Sequence, residues 1–145
     1  MIPHTLAGWF SLALWLAAIG HFVLLAATIQ VPSRLKWKDE LARLRPLNRK
    51  LLWTYGGFTV LTNVAFGVLT FALHDELLRG DRAALGLAFF IGVYWATRIG
   101  VEMFYFRPSD WPEGRGVAVG RALLTFLFVA LTSTYLGLVI WHGVT

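Results

Sequence analysis

Inside an otherwise apolar run, YWATRIGVEMFYF at residues 94–106, stand one arginine and one glutamate, Arg98 and Glu102. A spacing of four places both on one face of a helix. A guanidinium beside a carboxylate can hold an anion or pass a proton. It can also cancel its own charge where water is absent. Ile91, Trp95, Arg98, Glu102 and Tyr105 recur at helical spacing, and the stripe they form is expected to face a protein interior. Two further polar residues sit deep in apolar runs, His21 and Asn63.

The elements that carry these residues follow from the distribution of charge. Only 14% of the 145 residues are charged and 57% are hydrophobic, whereas a soluble domain carries about a quarter charged residues. Residues 1–33, 51–74 and 122–145 contain no Asp, Glu, Lys or Arg, and 83–106 contain only Arg98 and Glu102. A spanning helix needs roughly 20 mostly apolar residues. Lipid leaves backbone groups no partners but one another, so spans are helices or a closed barrel. Continuous rather than alternating apolarity selects helices. The chain is read as one domain over residues 1–145. It is expected to be an all-α integral membrane protein with four transmembrane helices in an up-down antiparallel bundle, its spans near 6–31, 51–73, 84–106 and 118–141. MIPHTLAGWF has no basic leader, so the first stretch is read as a retained span.

Orientation comes from the connections. The first holds Arg34, Lys36, Lys38, Arg43, Arg45, Arg49 and Lys50, and the third holds Arg107 and Arg115 with Arg121 at its edge. The second has Arg79 and Arg82 against Asp75, Glu76 and Asp81. The positive-inside rule then puts both termini outside and the first and third connections in the cytoplasm, with the protein in the cell inner membrane. Trp9, Trp53 and Trp141 fall at span ends, as an aromatic belt requires. The net charge of +5 is thereby used for topology, and no nucleic acid partner is expected. Pro32 and Ser33 suit the start of a short cytoplasmic helix and Pro46 its end. Its Trp37, Leu41 and Leu44 share a face that suits either a solvated loop or a segment on the anionic leaflet. Gly116 and Gly120 form a small-xxx-small pair for internal packing or a homo-oligomer.

Counting at about 1.5 Å per residue brings His21 and Arg98 to nearly one depth, Asn63 near the bilayer centre, and Glu102 one turn further inward. A charge at helix centre costs about 2.5–3.5 kcal/mol on insertion scales. His21, Asn63, Trp95, Arg98, Glu102 and Tyr105 are therefore expected to gather in the inner half, with His21 and Asn63 completing the Arg98–Glu102 pair. Three uses are open: a clasp that fixes helix register, a ligand site, or snorkelling to the inner face. At the outer face, His4, His74 and His142 lie near Asp75 and Glu76; a zinc or copper site there is the minor reading and scattered interfacial histidines the major one. No Cys, dinucleotide, Walker A or H-E-x-x-H motif occurs.

The stretch LWLAAIGHFVLLAATIQVPSRL resembles the histidine-bearing first span of two small four-helix membrane families. These are the bacterial membrane-type protoporphyrinogen oxidases and the CopD-like copper-resistance domains. The comparable positions are His21, Pro32 and Arg34, and the resemblance covers about thirty residues. It implies haem as a cofactor with His21 as axial ligand. The chain departs from the pattern in placing its histidine deep after a glycine. Spans two to four also have no lysine to supply the second haem ligand of the oxidases. The functional expectations are three. The first is an accessory or assembly protein with a membrane-protein partner, a second copy or anionic lipid against it. The second is a haem-binding redox protein using His21. The third is a carrier or enzyme for an anionic lipid-like substrate using Arg98 and Glu102.

Overall fold

A computed structural model describes residues 5–144, with Pro108 described by its backbone alone. Six α-helices follow in order: α1 Leu6–Arg34, α2 Trp37–Leu41, α3 Pro46–Ala72, α4 His74–Arg79, α5 Arg82–Phe104 and α6 Arg115–Val144, with a 3-10 turn at Pro108–Asp110 before the last. Among the described residues there is no strand. Helices α1, α3, α5 and α6 are each long and apolar enough to cross a bilayer, the make-up of a multi-pass membrane protein.

Their outward faces are apolar. Phe126 is 72% exposed, and Leu61, Phe90 and Leu16 are exposed as well. Patches of this kind are rare on soluble monomers and suit a hydrocarbon surround. Helix α1 packs most broadly on α3, and α5 on α6, with α1 and α6 joining the two pairs. At the α5–α6 contact a Cβ on Gly92 would lie 2.5 Å from Leu136 Cδ2 and 3.3 Å from its backbone nitrogen, so a larger residue there would require Leu136 to shift. Helices α3 and α5 are not a broadly packed pair; Phe66 bridges them with its ring 5.2 Å from Tyr94 and 6.0 Å from Phe90.

Local chemistry explains three of the helix ends. Thr5 Oγ1 accepts from the Gly8 N–H at 3.1 Å and caps α1. Gly80, at φ +78°, closes α4, its N–H and that of Asp81 both donating to Glu76 O at 3.1 Å. The second proline differs from the sequence expectation: Pro46 opens α3 at its first turn, where its missing N–H costs nothing. Pro32 likewise lies inside the last turn of α1, so the short helix expected in the first connection shrinks to the five residues of α2. Charged residues also extend the helices beyond the apolar spans, to Arg34 in α1 and back to Arg115 in α6. Trp37, Leu41 and Leu44 are half-buried, and Trp37 is turned onto α3 with its ring 5.5 Å from that of Trp53.

Candidate functional site

The α5 stripe divides on inspection. Ile91 and Trp95 are buried, and Glu102 keeps only 11% of its side chain exposed. Tyr105 leaves the stripe, contrary to expectation: α5 ends at Phe104, so the chain turns and Tyr105 is 76% exposed. Phe106 takes the inward place, half-buried with the Arg98 guanidinium carbon 5.3 Å from its ring centre.

His21 makes a different set of contacts from those expected. It is fully buried, and its Nδ1 lies 2.9 Å from the Ala17 carbonyl. A carbonyl only accepts, so Nδ1 carries the proton. The Trp95 indole N–H donates to Nε2 at 3.0 Å, and an indole nitrogen is a donor only. Both ring nitrogens are thus engaged in the neutral tautomer. Phe66 and Tyr135 stand edge-on and tilted around the ring at 5.6 and 5.9 Å. Such a histidine offers no lone pair to iron, so the haem ligation implied by the resemblance does not fit. Instead His21 ties α1 to α5. A parallel tie joins α3 to α6. Thr70 Oγ1 donates to Phe66 O at 2.7 Å and therefore accepts from Tyr135 OH at 2.6 Å. Nothing in the apolar sequence around Thr70 and Tyr135 marked this pair.

Asn63 is buried, but it too stays off the charge pair. Its Nδ2 donates to Thr59 O at 3.2 Å, and its Oδ1 has no hydrogen-bond partner among the described residues. Glu102 is completed from α6. Arg98 Nη1 lies 3.7 Å from Glu102 Oε2, and Arg121 Nη2 donates to Glu102 Oε1 at 3.3 Å. Arg121 was read from sequence only as a topology charge at a span edge. That edge position was the one signal available, since long side chains there can turn inward. Trp111 lies under it, with the Arg121 guanidinium carbon 4.5 Å from the ring.

One carboxylate cancels one guanidinium, so the Arg98–Glu102–Arg121 group carries an excess of one positive charge. Arg98 Nη1, Arg121 Nε and Trp111 Nε1 are buried donors without hydrogen-bond partners among the described residues. About a third of each arginine side chain remains exposed. Arg98 and Trp111 border a cavity of about 650 Å³. Its walls are otherwise mostly apolar and aromatic, with Leu24 of α1, Trp37 of α2, Trp53 and Gly57 of α3, Tyr94 and Trp95 of α5, and Leu124 and Phe128 of α6, joined by the polar Thr28 and Asn63. Apolar walls with a few fixed polar groups are the usual make-up of a small-molecule site, and the volume lies in the usual range.

No protein-family model, curated protein or solved structure matches the chain. Its own residues therefore carry the functional reading. At the opposite end of the bundle the histidines are separately employed. His74 is buried, its Nε2–H donating to Ser11 O at 3.2 Å, and it stacks on Trp15 with ring centres 4.0 Å apart. His142 packs beside Trp141. Among the described residues no three His, Asp or Glu side chains stand close enough to hold a metal ion. His4 lies outside the described residues.

Proposed function

We propose that the protein binds an anionic lipid in the cavity beside Arg98. The carrying observation is Arg98 at the wall of a largely apolar 650 Å³ space, one of two arginines that share the single carboxylate of Glu102. An isolated cation away from water is costly unless an anion joins it, and a lipid headgroup brings that anion together with a tail that suits apolar walls. Arginine forks match carboxylate and phosphate oxygens. Glu102 then acts as the internal counter-ion that keeps two arginines tolerable when the site is empty. The third functional expectation, an anionic lipid-like substrate, is thus the favoured one, with Arg121 added to the pair.

The same reading includes topology. The basic residues of the first and third connections support an up-down antiparallel bundle with both termini outside, lying in the cell inner membrane. In that orientation Trp37, Trp53 and Trp111 lie at the cytoplasmic interface, and the cavity draws on the inner, anionic leaflet. The experiment is lipid extraction from detergent-purified protein. Phosphatidylglycerol or another acidic lipid is expected to be retained over phosphatidylethanolamine, and Arg98→Gln to lose it. Equal retention by the variant sinks the reading.

A second reading, an accessory subunit or homo-oligomer, is favoured by Gly116 and Gly120. A Cβ at either position would meet nothing within 4 Å, so neither serves packing within the chain. Gly120→Leu is then expected to change the oligomeric mass in detergent without unfolding the chain.

A further inference from the structure

We infer that the bound lipid sits astride the gap between α3 and α5, its head inside the bundle and its tail on the lipid-facing side of α5. This rests on the anionic-lipid reading above and specifies how the ligand is held. A second depression of about 390 Å³ lies along α5, lined by Phe90, Val93, Tyr94, Thr97, Arg98 and Val101. Tyr94 and Arg98 border both this groove and the interior cavity. The charged residue therefore stands in the walls of both spaces, which is where a head would part from its tail.

The helices leave room for that crossing. Helices α3 and α5 touch through Phe66 against Phe90 and Tyr94 rather than along their length. Beyond Phe66 toward α2, the cavity wall on α3 includes Gly56 and Gly57. A Cβ on Gly57 would meet nothing within 4 Å. Aromatic bulk is instead gathered at the α2 end, where Trp37 packs on Trp53 and Phe106 on Trp111. Large rings thus gather at the α2 end of the cavity, and Gly57 leaves room on its α3 wall.

The groove also has the polarity of a leaflet lipid. Arg98 lies near its end closer to α2, and Phe90 two turns further along α5, about 12 Å away. A head at Arg98 sends its tail toward the bilayer centre, where it continues among other tails. Selection then falls on the head and not on chain length. An amphiphile swallowed whole by the cavity would show the opposite preference.

The test uses the full chain in phosphatidylcholine nanodiscs with lysophosphatidylglycerols of increasing chain length, one carrying a mid-chain diazirine. Affinity is expected to vary less than about threefold from short to long chains. The photolabel is expected on residues 90–101 of α5. Thr97→Trp, on an exposed face, is expected to stay folded and to weaken binding about tenfold by filling the groove. A sharp length cutoff, a label confined to Leu24, Thr28 or Asn63, or undiminished binding by folded Thr97→Trp overturns the astride arrangement alone. Binding that ignores Arg98→Gln, or no binding of any of these lipids, overturns the anionic-lipid reading together with it.

Discussion

Glu102 holds two arginines, and the two do not carry equal weight. Arg98 Nη1 approaches it to 3.7 Å, while Arg121 Nη2 makes a hydrogen bond at 3.3 Å. Arg98→Ala is therefore expected to leave the protein folded, because Glu102 keeps a counter-ion. Removing both arginines strands a nearly buried carboxylate and is expected to cost about 3–5 kcal/mol, read as a loss of thermal stability and yield in detergent. The buried His21–Trp95 pair makes a second prediction at this scale. His21→Leu leaves the indole N–H without an acceptor and is expected to cost about 1–3 kcal/mol. The double change His21→Leu with Trp95→Phe is expected to cost less than the two single changes added. Strict additivity in that cycle would show that the hydrogen bond contributes nothing.

At the scale of elements, the turn between α4 and α5 depends on one residue. Gly80 is in the left-handed region, and a Cβ there would also lie 2.5 Å from His142 Nδ1 at the end of α6. Gly80→Ala thus combines backbone strain with a clash and is expected to lower stability by at least about 1 kcal/mol; an unchanged unfolding temperature would contradict this. The helices themselves were legible in the sequence, because uncharged runs of spanning length leave the backbone one solution. Their ends were less so. Pro46 reads equally as a stop for one helix or the first turn of the next, and only the position of the following chain decides. The end of α5 at Phe104 hid in the same way, since Tyr105 continues the helical spacing after the helix itself has stopped. Partners across helices were the least legible. Depth counting brought His21 near Arg98, but rotation about each helix axis decides contact. That rotation gave His21 to Trp95 and Glu102 to Arg121.

At the scale of the whole molecule, two helix pairs, α1 with α3 and α5 with α6, are joined through α1 and α6 and held by buried polar ties. Helices α3 and α5 meet only narrowly, and the cavity and the groove both have Arg98 in their walls. A bundle needing only stability would be served as well by apolar residues at positions 98, 102 and 121, since buried ion groups are seldom better than a packed apolar core. Arg98 in the wall of a largely apolar space is the observation on which the anionic-lipid proposal rests. The most direct test is native mass spectrometry of the purified chain titrated with phosphatidylglycerol and with phosphatidylcholine. The wild-type chain is expected to take up one phosphatidylglycerol at least about tenfold more tightly, and folded Arg98→Gln to lose that preference. Equal affinity for the two lipids in the wild type would contradict the account.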